Sequence, residues 1–213
     1  AADLYVQTGA VRQAISTREI YLQRFPQPVP VAVEVMQQLA DLEAGNGNTR
    51  GRQHWLEEII RLDREAGNAG TRVSAAEAAL ELAESRLTAF RQVQLVNPVQ
   101  ASLARKLQAM KQALQAFEAA ADYGVTPVAT AATYQIAVMY DELGQALLAS
   151  ERPVSLTAAE LAEYNLLLAE QAAPFEQQAI TIHAMNARRP GGEQQDPWVE
   201  KSVQRLDELQ RGD

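Results

Sequence analysis

The chain has 213 residues, 47% apolar and 22% charged, with a formal net charge of -8. That apolar share is enough to bury a substantial core, while the acidic balance disfavours a nucleic-acid surface, which needs a basic stripe to displace counterions from phosphate. The absence of cysteine excludes disulfides and thiolate metal sites, and no apolar run approaches the ~20 residues of a membrane span.

Ala, Gln, Leu and Glu are abundant, Gly and Pro fall almost entirely between periodic segments, and no alternating β-branched run persists. These features predict an all-α fold. Leu4, Tyr5 and Val6 close a first helix, Gly9 supplies a turn, and Val11 to Arg24 forms a second helix. Phe25-Pro26-Gln27-Pro28 stops it by denying a backbone donor. The helical pattern is already running at Ala1 and no Met opens the chain, which predicts a fragment of a longer protein.

The next pair runs from Val31 to about Ala66, with Val35, Leu39 and Leu42 on one face of its first helix and Trp55, Ile59 and Leu62 on its second. Between them lies Gly45-Asn46-Gly47-Asn48-Thr49. A phosphate loop would need a following Lys-Ser or Lys-Thr and a preceding strand, and neither is there. The residues suit helix termination at Gly45 and capping of the next helix by Asn48 or Thr49. Glu65 through Gly70 ends this pair in the same way.

From Arg72 the helices lengthen. One covers about Arg72 to Leu95, and Asn97-Pro98 opens another that continues to about Tyr123. Leu82 and Ala83 on the first are placed to meet Ala113, Phe117 and Ala120 on the second. After a turn at Tyr123-Gly124-Val125-Thr126-Pro127, a helix from about Val128 to Ala149 carries Tyr134, Ile136, Ala137 and Tyr140. Its partner covers about Thr157 to Ala187, capped by Ser155 or Thr157, with Glu160 three residues after Thr157 as a capping box requires. Pro174 is expected to kink or divide that helix, leaving Phe175 and Ala179 to pack on the preceding pair. Arg188-Arg189-Pro190-Gly191-Gly192 reads as a loop, and Pro197 opens a last helix bearing Trp198, Ser202 and Leu206.

The triplet at Ala113, Phe117 and Ala120, a small residue, a large one four later and a small one three later, recurs imperfectly at Gly51, Trp55 and Glu58, and at Ala179, His183 and Asn186. Gly9, Ala14, Tyr21 and Pro26 resemble tetratricopeptide-repeat (TPR) residues, and Trp198 with Ser202 resembles the start of a further repeat. The stretches Ala120 to Val125, Ala131 to Ile136, Ser150 to Pro153 and Pro174 to His183 resemble the carboxyl region of large TPR proteins of the bacterial cell envelope. The resemblance implies antiparallel hairpins stacked as a right-handed α-solenoid, with a truncated repeat and a second hairpin over residues 1–70. Elongated, irregular pairs would follow over 71–190, and a loop with the start of another repeat over 191–213. Spacings between Ala14, Gly51, Ala113 and Ala179 widen from near the ~34 residues of a regular array to roughly twice that. A periplasmic or envelope location and a role as scaffold for protein assembly, without enzyme activity, follow from the resemblance alone.

The chemistry-bearing residues point the same way. Only His54 and His183 exist, neither in a paired His motif for zinc, and the residues three before them are Gly51 and Ile180, where a di-iron bundle needs Glu. His54 suits a helical pair with Glu57 or Glu58, and His183 suits a core contact. Glu57-Glu58 and Asp141-Glu142 are adjacent and point in different directions on a helix, so neither reads as an acid-base pair. Arg50, Arg52, Arg61 and Arg64 read as a solvated helix face. No catalytic residue, metal ligand or cofactor site is expected, and no binding residue is fixed. Gln135, Asn165 and Gln171, with any outward Tyr134 or Tyr140, are candidates for a groove that takes a peptide. The sequence therefore favours a non-enzymatic adaptor for a protein or peptide partner. The alternative is a small-molecule or lipid-binding helical domain with a cavity between the long helices from Arg72 to Ala187.

Overall fold

The computed structural model describes residues 1–67, 70–189 and 196–211. Among them the backbone forms helices and no strand: α1 (Ala2–Gln7), α2 (Val11–Arg24), α3 (Val29–Gly45), α4 (Thr49–Ala66), α5 (Arg72–Gln92), α6 (Val99–Ala121), α7 (Thr126–Leu148), α8 (Ala158–Ala187) and α9 (Pro197–Arg211). The all-α expectation holds, and no helix is long and apolar enough to cross a membrane. The chain divides into two compact units, Ala1–Leu82 and Ala83–Asp213, with the boundary inside α5.

In the first unit α1 packs on α2, α2 on α3 and α3 on α4. α3 begins at Val29, slightly before the expected Val31, because Pro30 lies in its first turn, where no backbone donor is needed. It ends at Gly45, and the reversal that follows is made by Gly47, whose φ of 75° is open to glycine at little cost. Asn48 then caps α4, its Oδ1 accepting from the Gly51 N–H at 3.1 Å. At the far end of α4, Gly67 (φ 56°) returns its N–H to the Asp63 carbonyl. Asn68 and Ala69, part of the expected turn, lie outside the described residues, as do Pro190, Gly191 and Gly192 of the later loop.

The first core is built on Ala14, Ala32, Val33, Leu39, Ile59, Ala75 and Ala76. Of the stripes expected on α3 and α4, Leu39 and Ile59 are buried, whereas Val35, Leu42, Trp55 and Leu62 are half-buried. The buried faces are turned toward the alanines of α3 and toward Leu56 of α4. Alanines let backbones approach, so the bulkier side chains straddle the margins of the contact.

In the second unit α6 packs on α7, α7 on α8, and α8 on α9, while α7 also meets α9. Ala113, Phe117, Ala120, Ala137, Met139, Leu143 and Ala179 are fully buried there. α5 stops at Gln92, short of the expected Leu95, because Leu95 leaves the helix to join Leu147 and Ala172 in the core. The Thr157–Glu160 capping box is present: Glu160 Oε2 accepts from the Thr157 N–H at 2.8 Å, and Thr157 Oγ1 accepts from the Glu160 N–H at 3.4 Å. Of the two outcomes expected at Pro174, a kink or a division, the division does not occur, since α8 runs unbroken through all 30 residues. Its proline turn is held against α7, where a Cβ added to Gly144 would lie 3.5 Å from the Ala172 carbonyl oxygen and 3.7 Å from Phe175 Cβ. Packing across that narrow seam outweighs the lost backbone donor.

The end of α5 depends on one buried cation. Lys106 Nζ donates to the carbonyls of Phe90 (3.1 Å) and Val93 (2.9 Å) and stands 4.1 Å from the centroid of the Phe90 ring. Burial lowers the Lys106 pKa, and the more distant Glu142 carboxylate partly opposes the shift. Lys106→Met keeps the aliphatic stem but leaves the Val93 carbonyl without this donor and the Phe90 carbonyl with only the Val93 N–H at 3.2 Å. It is expected to lower stability by about 1–3 kcal/mol, read as a reduced urea midpoint at unchanged slope.

Candidate functional site

A groove of about 440 Å3 opens in the first unit, walled by α3 and α5 and floored by Leu56 and Ile59 of α4. Its walls follow from helix periodicity. α3 turns Ala32, Val33, Met36, Leu39, Ala40 and Glu43 inward, which leaves Glu34, Gln37, Gln38 and Asp41 along the groove. α5 buries Ala75, Ala76 and Ala79 and offers Ser74, Glu77, Ala78 and Glu81 in the matching places. Two helices thus present the same polar ladder to one cleft.

The cleft is strongly acidic. Glu34, Asp41 and Glu77 are exposed and form no ion pair among the described residues. Glu81 accepts from Arg52 Nη2 at 2.6 Å, a bond that ties α5 to α4. Carboxylates on both walls of a concave surface reinforce one another's field and concentrate cations between them. With Gln37 and Ser74 beside them, the lining accepts ammonium, guanidinium and backbone N–H donors, and the floor accepts aliphatic stems; Gln38 Oε1 already accepts from Arg18 Nε at 2.8 Å. Among the described residues no three His, Cys, Asp or Glu side chains gather closely enough to hold a metal ion.

The residues singled out in the sequence lie elsewhere. His54 is exposed, its ring centroid 4.9 Å from that of Trp55. Glu58, its expected partner, bonds Arg61 at 2.7 Å, and this bond is the main cause of its lowered pKa. Arg52 and Arg61 are held by Glu81, Glu58 and Glu65, while Arg50 and Arg64 face solvent. Asn165 Oδ1 accepts from Arg152 Nε at 2.6 Å, Gln171 is exposed, and Gln135 and Tyr140 are half-buried. None of them lines the groove. Its signal in the sequence is the parallel spacing of Glu34, Gln37 and Asp41 with Ser74, Glu77 and Glu81, polar residues opposite an alanine-rich face.

A second concentration of polar groups is turned inward, where α7, α8 and α9 meet. Asn186 Nδ2 donates to the Thr130 carbonyl (3.1 Å) and to Ser202 Oγ (2.8 Å), linking all three helices. Asp141 accepts from Arg205 at 2.6 Å, joining α7 to α9. His183 is fully buried, with neither ring nitrogen hydrogen-bonded, and lies edge-on to Tyr134 at 5.4 Å between centroids. Tyr134 stands 5.4 Å from Trp198 in turn. Burial pushes the His183 pKa down to about 4; the Arg205 charge adds to the shift and the Asp141 carboxylate opposes it. The imidazole is therefore neutral at pH 7 and acts as a packing residue.

The folded His183 pKa of about 4 lies below the ordinary 6.5, so between those values the unfolded chain binds more protons. The stability that neutral His183 contributes is present above about pH 6.5 and is lost as pH falls toward 4. At pH 4.5 the loss is expected to be about 2–3 kcal/mol relative to pH 7. His183→Phe should remove this component, so the pH dependence of the urea midpoint, wild type against variant, isolates it from the carboxylates.

Comparison with protein-family models, with curated proteins and with solved structures finds no match.

Proposed function

We propose that this chain is a non-enzymatic protein-interaction module, built from TPR-like hairpins stacked as a solenoid, whose acid-lined groove seats a Lys- or Arg-bearing segment of a partner. The observation that carries the reading is the matched polar ladder on α3 and α5 around one apolar-floored cleft. Helices that bury small residues on one face and line a cleft with the other are what a stacked hairpin array uses for recognition. Packing between consecutive helices, with α7 also meeting α9, supports the repeat reading. The small, large and following residues at Ala113, Phe117 and Ala120, all buried, support it too. The groove gathers acceptors and carboxylates on a surface open to solvent, an arrangement suited to holding a partner's cations. A scaffold role within a larger assembly of the cell envelope rests on the sequence resemblance.

The test is a crosslinking pull-down from source cells with the wild-type chain and with a Glu34→Lys, Asp41→Lys, Glu77→Lys variant. These side chains are exposed, so the variant should fold, which circular dichroism checks. A small reproducible set of proteins is expected with the wild type, released by raising salt and reduced at least tenfold with the variant. Equal recovery by both chains, or no enriched protein alongside a retained small molecule in native mass spectrometry, would overturn the reading.

A further inference from the structure

The turn between α3 and α4 reads Gly45-Asn46-Gly47-Asn48, and all four residues are exposed. Its two asparagines are used differently. Asn48 is engaged at both ends of its amide, Oδ1 accepting from the Gly51 N–H at 3.1 Å and Nδ2 donating to Glu43 Oε2 at 2.8 Å. The Asn46 side chain makes no hydrogen bond among the described residues. The residue after it is glycine, and a Cβ added to Gly47 would meet no atom within 4 Å. Two backbone bonds hold this point of the turn: the Asn46 N–H donates to the Leu42 carbonyl and the Gly47 N–H to the Ala44 carbonyl, each at 3.0 Å. Both sit at the exposed end of a helix, where local opening costs little. The other described asparagines lack this combination. Asn97 precedes Pro98, which has no N–H, Asn165 Oδ1 is held by Arg152, and Asn186 is fully buried.

We propose that Asn46 is a self-modification site, whose side-chain amide is lost to attack by the Gly47 backbone nitrogen, leaving aspartate or isoaspartate in the turn. The Gly47 nitrogen bonds to Asn46 Cγ, the bond from Cγ to Nδ2 breaks, and Nδ2 leaves as ammonia with the proton that Gly47 gives up. Water then opens the five-membered imide at either carbonyl. Attacker and target are adjacent in one chain, and glycine puts no side chain in the path. Isoaspartate carries the main chain through the side-chain carbon, which adds a methylene between residues 46 and 47. Asn48 has little slack to absorb it: its N–H donates to the Glu43 carbonyl at 2.8 Å, and a Cβ added to Gly51 would lie 2.5 Å from Asn48 Nδ2. The change therefore weakens the cap on α4, and both products place a negative charge at the C-terminus of α3, which the helix dipole disfavours. The inference is independent of the acidic groove and of what enters it.

The test is to age the whole chain at 37 °C in buffers from pH 6 to pH 8.5 and to follow each asparagine by peptide mapping, with electron-transfer fragmentation to separate isoaspartate from aspartate. Asn46 is expected to convert at least about tenfold faster than Asn48, Asn97, Asn165 or Asn186, and within about tenfold of its rate in a free peptide spanning Leu42 to Arg50, because only one exposed turn has to open. Its rate should rise with pH, since the attacking amide nitrogen must lose its proton, and isoaspartate should be among the products. Asn46→Gln, a change on an exposed side chain, lengthens the ring that would have to form. That variant should keep its urea midpoint through ageing while the midpoint of the wild type falls. Conversion of Asn46 no faster than that of the other asparagines, or aspartate formed without isoaspartate at a rate that does not rise with pH, would overturn the proposal.

Discussion

Close approach of helix backbones along faces of small residues is the constraint on which both units depend. Ala14 in α2, Ala113 and Ala120 in α6, Ala137 in α7 and Ala179 in α8 are each completely buried. Gly144 takes the principle further, leaving an added Cβ only van der Waals distance from the α8 backbone. Where the backbone comes that near, dispersion contacts are made along a whole helix turn rather than through isolated side chains. That continuity explains why α8 persists through Pro174: the missing backbone donor is one local loss set against a packed seam on both sides of it.

Beside the small residues, each packed face has a slot for one larger side chain, and the occupant of that slot distinguishes the helices. Four residues after Ala113 the slot holds Phe117, fully buried and without polar needs. The same offset from Ala179 gives His183, and from Ala14 gives Arg18, at 0% and 7% exposure. Burying ionisable groups in a core slot demands compensation, and the two solve it in opposite ways. His183 gives up its charge, with its ring packed against Tyr134. Arg18 instead finds acceptors, and Gln38 and Asp3 supply part of the set. In α4 the slot after Gly51 is different again. Trp55 is half-buried there, and burial shifts to Leu56 and Ile59.

Helix limits were legible in the sequence because their causes are local. Gly9 and Gly67 adopt positive φ, Pro26 follows the end of α2, Asn48 caps α4, and Thr157 with Glu160 caps α8. Each acts within a turn of itself and needs no knowledge of the rest of the chain. The rotation of each helix about its axis was less legible. Choosing Val35 and Leu42 for the face of α3 weighted bulk, whereas the contact is set by which residues let the neighbouring backbone in. The groove was missed for the same reason, since its ladder becomes a site only once residues of α3, α4 and α5 line one cleft. Asn165 shows the converse error: it is polar and on a helix surface, yet Arg152 already occupies its side-chain oxygen.

The two units also place their polar residues differently. In the second unit Thr130, Asn186, Ser202, Asp141 and Arg205 turn inward and bond across α7, α8 and α9. Buried polar bonds of this kind are directional, so they fix how α9 lies on its neighbours where an apolar contact alone would tolerate sliding. Residues engaged in that way are not available to a partner. In the first unit Arg18 and Arg52 also bond across helices, but Glu34, Asp41 and Glu77 stand exposed along the groove. Three carboxylates around one concave surface, none in an ion pair among the described residues, reinforce one another's field at the groove.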